Sequence, residues 1–418
     1  MTPSDDTDIG VIDVPEFGFW AEKKELTPVP PGLRAADHPY QWTGLLPAYR
    51  EQLIEWGGQA QAIPLAGDGY VLVYRADRLK DPKFIAAFNA QFARAPVAPT
   101  SWEEFADIAA VFAKLDGRPS LPQFTNSELA TLFFRIAACY DRLAQSETIN
   151  TNLGSGLGTL SFQFDLADGK PRLTAPAFAA AANWLGGLVA KKCLPSPAAG
   201  TSSDPSAALA RNQAMIAVLS LDQLAQLPRE NGAVPDRFGL AALPGTRTAF
   251  DPEKRQFVLR PVPNYVPYFA GGRLGVVRTR CSNATAAFDL LAELGGPTRS
   301  LEIIASTGVG AGPFRVSHLD RDRLQIWFGY GFDADRSDAL RRALQDYIHL
   351  DVKNPTYGLR GPDQAALSSA AAIAMGKISA GTSTEPALEQ LLVDWQQIDA
   401  KNPPETRLKW RKLAAGLE

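Results

Sequence analysis

The chain has 418 residues, 45% of them hydrophobic and 21% charged, with a formal net charge of −3. That balance excludes a disordered chain, and the lack of a dense Lys/Arg run argues against nucleic acid or an anionic membrane surface as partner. Three isolated cysteines (Cys139, Cys193, Cys281) and three isolated histidines (His38, His318, His349) give neither a disulfide framework nor a metal-ligand spacing, so no metal and no cofactor is expected.

In chain order, Met1 to Asp8 is polar and acidic and does not read as a signal peptide. No apolar run approaches the roughly 20 residues that span a bilayer. Asp8 to Val14 reads as a buried strand stopped by Pro15, followed by a helical turn over Ala21 to Glu25, a Pro-rich loop from Leu26 to Arg34, and a helix from Pro47 to Glu55. Ile63 to Leu65 is a short apolar run. Gly67-Asp68-Gly69 breaks it, and Tyr70 to Tyr74 is a strand rich in β-branched and aromatic residues. An acidic residue between two glycines and two apolar strands suggests a segment crossing between lobes, with Asp68 facing the gap.

Ser101, three residues before Glu104, predicts a helix start, with Phe105, Ile108, Ala109, Phe112 and Leu115 on one face and Gly117 as the stop. Leu129 to Leu143 predicts a deep helix. Asn150 to Gly158 reads as loop, and Phe162 to Leu173 as a hairpin around Asp168-Gly169. Thr174 to Lys192 predicts a helix with Pro176 in its first turn, then loop from Pro195 to Pro205. Further along come a helix over Ser206 to Gln213, strands over Ala214 to Leu219, Phe238 to Leu243 and Arg273 to Val277, and a helix capped by Ser282 or Asn283. Ser306 to Ser317 is a Gly-rich loop containing Arg315. The remainder reads as helical: a stripe of Leu340, Leu344, Tyr347 and Ile348, an Ala-rich segment from Ala365 to Ile378, and a last helix opened by Thr382 and Glu385. Strands alternating with helices predict an α/β chain with a mainly parallel sheet in each unit. The length fits two or three domains at about 150 residues each.

Enzyme patterns are absent. There is no Gly-x-Ser-x-Gly elbow, no P-loop and no His-Glu-x-x-His. Glu103-Glu104 at a helix start reads as dipole complementation. A glycosidase pair could be assembled from Asp68 and Glu16, whose separation the sequence leaves open. Aromatic residues gather beside polar ones at Phe17 to Trp20, Gln123 to Asn126, Asn264-Tyr265, Tyr268-Phe269 and Trp327 to Tyr330. Such clusters suit a sugar, with apolar C–H faces and a rim of hydroxyls.

The order of segments resembles the extracellular solute-binding proteins of family 1, the sugar-binding receptors of ABC importers that include maltose-binding protein. The likeness rests on Asp8-Ile-Gly-Val-Ile-Asp with Glu25-Leu-Thr-Pro28, on Ala62-Ile-Pro-Leu through Arg75-Ala-Asp-Arg-Leu79, and on Pro99-Thr-Ser-Trp-Glu-Glu-Phe105. It continues through Leu209 to Met215, Leu243-Pro-Gly245 with Gly271-Gly272, and Gly381 to Leu388 with Trp395. The resemblance implies a two-lobed periplasmic-binding-protein-like fold of type II, with a hinge over Tyr70 to Tyr74 and Phe269 to Val277. It implies lobes of residues 1–74 plus 272–312 and 75–271 plus 313–418. It further implies a non-catalytic, monomeric receptor that binds a mono- or short oligosaccharide in the interlobe cleft and meets a membrane permease outside the cytoplasm. Export would rest on an upstream signal. The implied ligand residues are Asp68, Asp13, Glu16, Gln123, Phe124, Asn126 and Arg315, with Trp20 and Tyr265 as stacking faces.

The sequence departs from the family pattern in three places. It opens at what resembles the family's third strand. Leu219-Ser-Leu-Asp222 replaces a Gly-x-Trp, and Ala366-Leu-Ser-Ser369 offers no aromatic residue. A long maltodextrin is therefore not expected. The competing readings are a glycoside hydrolase and a family relative retained as an interaction module.

Overall fold

The structure, a computed structural model, describes residues 7–143, 160–195, 204–348 and 355–417. The Asn150 to Gly158 loop and most of the Pro195 to Pro205 loop lie outside the described residues, as does the side chain of Tyr347.

Two three-stranded sheets organise the chain. In the first, Arg273–Val277 lies between Ile9–Asp13 and Ile63–Ala66 and runs antiparallel to both. In the second, Tyr70–Arg75 lies between Ile216–Ser220 and Phe238–Ala241, again antiparallel to both. The α/β class holds, but the expected parallel sheets do not form. Among the described strands, parallel pairing is confined to Tyr268–Phe269 with Thr356–Tyr357. The reason lies in how each middle strand arrives. Tyr70–Arg75 enters the second sheet directly from the first, and Arg273–Val277 makes the return crossing. Strand–helix alternation records the order of elements but not the direction in which a crossing strand arrives.

Local signals placed several helices well. Ser101 Oγ accepts the Glu104 N–H at 3.2 Å and opens Trp102–Asp116, and Gly117, at φ 62°, ends it in the left-handed conformation that favours glycine. Pro176 sits in the first turn of Pro176–Ala190. The deep helix is Asn126–Asp141, which begins before the expected Leu129. Near the start of the chain the helix is Phe17–Glu22 rather than Ala21 to Glu25, and Pro47 to Glu55 contributes only a widened π-type turn at Tyr49–Leu53. The Thr382–Glu385 box is not made. That helix runs Thr384–Asp399 with no side-chain hydrogen bond at its cap. Phe162 to Leu173 forms a single bridge, Phe164 to Pro171, instead of a full hairpin ladder.

Elements beyond the expected set include the helices Pro82–Phe92 and Pro404–Ala414, and an antiparallel ribbon of Thr246–Asp251 with Gln256–Asn264.

Burial of apolar side chains gives two large cores. One surrounds the first sheet, from Ile12 and Leu45 through Val276 and Phe314, and extends to one face of the second sheet at Val71 and Val73. The other gathers Trp102, Phe133, Phe178, Leu367 and Trp395 under the opposite face, at Leu72. The C-terminal helix ties the two together. Trp410 and Leu413 pack on the first core, while Arg411 bonds both oxygens of Asp363 at 2.7 and 2.6 Å and lies 3.9 Å over the Phe164 ring. Arg360, fully buried, donates to the carbonyls of Gln52 (2.7 Å) and Ala414 (2.9 Å).

Candidate functional site

Three segments cross between the sheets at one point. Gly67 and Gly312 exchange backbone hydrogen bonds of 2.8 and 3.0 Å, and the Val14 N–H donates to the Gly272 carbonyl at 3.0 Å. Approach this close requires glycine: a Cβ on Gly67 would lie 2.1 Å from the Pro313 oxygen, and one on Gly312 would lie 2.3 Å from the Asp68 oxygen. Asp68 sits in the middle, 6% exposed. Its Oδ2 accepts the N–H groups of Ala270 (3.2 Å) and Gly271 (3.0 Å), and its Oδ1 accepts that of Gly69 (3.1 Å). The Asp68 N–H donates to the Tyr49 hydroxyl oxygen at 2.7 Å.

One residue past this junction, Tyr70 becomes part of the wall of a cavity of about 200 Å³. Phe124, Glu128, Thr131, Arg135 and Gln223 also line it. Glu128, Thr131, Leu132 and Arg135 fall at i, i+3, i+4 and i+7 of one helix and so share a face. Two capping boxes meet at the rim. In the first, Thr125 Oγ1 accepts the Glu128 N–H at 3.2 Å, while the Glu128 carboxylate accepts from Thr125 N (2.7 Å) and Oγ1 (2.9 Å). In the second, Ser220 Oγ accepts the Gln223 N–H at 3.3 Å and Gln223 Oε1 accepts the Ser220 N–H at 3.0 Å. Gln223 Nε2 then donates to Glu128 Oε1 at 3.2 Å and joins the boxes. These two helix starts, each satisfied by its own side chains, hold a polar rim in place.

Arg135 is buried, and its guanidinium lies 4.0 Å from the centre of the Tyr70 ring. Burial pushes the Tyr70 hydroxyl up to about 12; the nearby Asp68 charge adds to that rise and Arg135 opposes it. Tyr265 and Tyr268 are likewise raised by burial, and both feel the fields of Arg135 and Asp68. Three tyrosines thus lie within the fields of both a buried cation and a buried anion.

The residues singled out in the sequence fall in different places. Phe124 lines the cavity, with Gln123 half-buried beside it in the chain. Tyr265 is half-buried between the two cores. Asp13 and Glu16 stand at the end of the Ile9–Asp13 strand, where the Asp13 N–H donates to Glu16 Oε2 at 3.4 Å, and Val14 links them to the junction. Asn126 is exposed and packs against Gly376, where a Cβ would lie 2.5 Å from its Nδ2. Trp20 carries Arg278 over its ring at 4.7 Å. Arg315 is not among the cavity's lining residues. It is buried in the first core, donating to the carbonyls of Gly295 (2.7 Å), Tyr40 (2.8 Å) and Gln41 (3.2 Å). Desolvation lowers its pKa.

Sequence reasoning passed over Tyr70, Glu128, Arg135 and Gln223 as site residues. The signals were available: two box spacings, Thr125 to Glu128 and Ser220 to Gln223, and a single arginine inside the apolar run Leu132-Phe-Phe-Arg-Ile-Ala-Ala138.

No protein-family model matches the chain, and no curated protein sequence matches it. Solved structures do. T. maritima MalE3 with bound maltose superimposes with a TM-score of 0.65 at 15% identity, over 96% of this chain and 85% of that one. The sugar-binding protein MalE of Xanthomonas citri gives 0.65 at 16% identity, over 94% and 84%. This is a two-lobed periplasmic-binding-protein fold. A solute-binding protein of an ABC transporter from Thermotoga lettingae, bound to α-D-tagatose, is also similar: TM-score 0.61, 15% identity, 94% and 85% covered. The Gly67–Tyr70, Phe269–Gly272 and Gly312 segments meet where the chain passes between the two sheets, and the cavity lies beside them.

Proposed function

We infer that the chain is a non-catalytic solute-binding protein whose ligand is a mono- or short oligosaccharide held at the interlobe crossing. The observation that carries this reading is the cavity itself. It presents two aromatic faces, Tyr70 and Phe124, a charged donor, Arg135, and a pre-bonded polar rim. Apolar faces with a few fixed polar groups suit a pyranose or furanose ring. A volume of about 200 Å³ sits below the roughly 300–1,000 Å³ of drug-sized pockets and favours one sugar unit. The similar structures with maltose and tagatose bound support the same ligand class.

Against a hydrolase, glycosidases need a pair of carboxylates across the scissile bond. Among the described residues the cavity lining holds one, Glu128, and both of its oxygens already accept hydrogen bonds within the capping boxes. We propose the lobes expected from the sequence, 1–74 plus 272–312 and 75–271 plus 313–418, with two adjustments. Tyr70–Arg75 pairs along its length with strands of the second sheet and goes to the second lobe. The bonds of Arg315 and of Leu46 N to the Phe314 carbonyl favour placing residues 313–318 in the first. Delivery of the sugar to a membrane permease, outside the cytoplasm and as a monomer, completes the proposal.

The test is a thermal-shift panel of mono- and disaccharides on the wild-type chain and on Arg135→Met. A sugar that raises the melting temperature of the first and not the second supports the reading. Turnover of a chromogenic glycoside, or no response to any sugar, would sink it.

A further inference from the structure

We propose that Asp68 is a hinge-positioning residue, whose carboxylate pins the crossing segments at the point about which the lobes rotate. The proposal deepens the binding reading and rests on its two-lobe, cleft-closing premise.

Three observations carry it. First, the carboxylate does the work of ladder hydrogen bonds where the ladder ends. The pairing of Ile63–Ala66 with Arg273–Val277 shifts register at Arg273/Leu274, and past that point the chains part. Tyr70 goes to the second sheet, and Tyr268–Phe269 pairs with Thr356–Tyr357. Asp68 Oδ2 takes the two N–H groups, of Ala270 and Gly271, that lie just inside the parting. Hydrogen bonds to an ionised acceptor are about twice as strong as neutral ones.

Second, the third crossing is tied to the same spot through the neighbouring Gly67–Gly312 pair. All three crossings therefore touch within one residue of Asp68. Pinning at a single point leaves rotation free and resists sliding, which is what separates a hinge from a shear.

Third, the contact is close-packed. A Cβ on Gly271 would lie 2.8 Å from Asp68 Oδ1, and one on Gly69 would lie 2.9 Å from Leu221. Both carboxylate oxygens point at backbone amides, and Asp68 is not among the residues lining the cavity.

The experiment measures the interlobe distance distribution by pulsed electron resonance. Spin labels sit at Asp289→Cys on the exposed side of Ala284–Gly295 and at Lys114→Cys at the exposed end of Trp102–Asp116, in a Cys281→Ser background. Asp68→Asn and Asp68→Ala are compared with the parent, without sugar. A hinge role predicts a broadened distribution in both variants. Where a sugar binds, its affinity should fall about tenfold, as when the binding-competent arrangement drops to about a tenth of the population. Phe124→Ala, at the cavity wall, should lose affinity with the ligand-free distribution unchanged. An unaltered distribution in the Asp68 variants overturns the proposal, and a loss of affinity alone would make Asp68 a direct ligand contact instead. The nearly isosteric Asp68→Asn decides if Asp68→Ala fails to fold, and Gly271→Ala, which crowds the same carboxylate, decides if both fail. The sugar-free distances remain decisive even if no sugar binds, so this proposal and the functional one can fail separately.

Discussion

Arg315 and Arg135 are both buried, and each lies over a tyrosine ring, at 4.6 Å from Tyr40 and 4.0 Å from Tyr70. By burial and ring contact alone they would be assigned one role. Their surroundings divide them. Arg315 donates to the carbonyls of Gly295, Tyr40 and Gln41, from two separate stretches of the chain, with His318 near enough to feel its charge. Arg135 has protein on one side and a cavity on the other. A buried cation donating to three carbonyls is a cross-brace, whereas one that lines a cavity also faces whatever enters it. The open volume beside a charged group is therefore more informative than the burial of the group.

The sharpest way to break this contrast is Arg315→Met. It removes the Arg315 donor from the buried Gly295 and Tyr40 carbonyls, at about 1–3 kcal/mol each, while the Gln41 carbonyl keeps the Gly44 N–H; loss of a desolvated charge relieves part of that. We expect a net loss of about 2–4 kcal/mol in chemical denaturation, with sugar affinity unchanged in the folded fraction. If affinity collapses while stability holds, the roles of the two arginines are reversed. Next comes Arg135→Met. A hydrogen bond to a charged group is worth about 1.5–3 kcal/mol, so calorimetry should show roughly a tenfold to hundredfold weaker sugar complex, with a small change in melting temperature. Phe124→Ala should cost less, about 0.5–1.5 kcal/mol of stacking, or a few-fold in affinity.

A further check is the pH dependence set by His318. His318 is fully buried; its Nδ1 accepts the Phe314 N–H at 3.3 Å, and Ser300 Oγ lies 2.9 Å from its Nε2. Desolvation, then the Arg315 charge, pushes its pKa down to about 3 from 6.5. The unfolded chain thus binds a proton that the folded one refuses. Stability is fully present above about pH 6.5 and is lost as pH falls from there toward 3. Replacing His318 with Gln should flatten that part of the stability–pH curve by one proton of slope. An unchanged slope would mean the ring is already protonated in the fold.

Much of the architecture could be read from the chain, because the physics behind it is local. Ser101 before Glu104, Gly117 after Asp116 and Pro176 in a first turn each act within a few residues and gave helices in the right places. The parallel sheets were misread because strand direction depends on where a crossing segment comes from, more than 200 residues away in the case of Arg273 and Asp13. The ribbon Thr246–Asp251 with Gln256–Asn264 was missed because Pro261 and Pro263 mask its alternation, and they are tolerated there because the strand has a partner on only one side among the described residues. At the site, Phe124 was legible as an aromatic residue beside polar ones. Arg135 was not, since a single charge inside an apolar helix gives no sign of whether carbonyls or a cavity will surround it.

The placement of Arg273–Val277 between Ile9–Asp13 and Ile63–Ala66 also bears on how the protein is made. The two outer strands leave the ribosome early and do not pair with each other. Their partner follows about 200 residues later, roughly ten to forty seconds at ordinary rates of synthesis. During that interval Ile63, Pro64 and Leu65 are an apolar segment with no ladder to join, while the second lobe's helices can already collapse locally. Growing chains halted before residue 273 should therefore keep the N-terminal segment open to chaperones and proteases, and protection should appear in one step once Val277 is out.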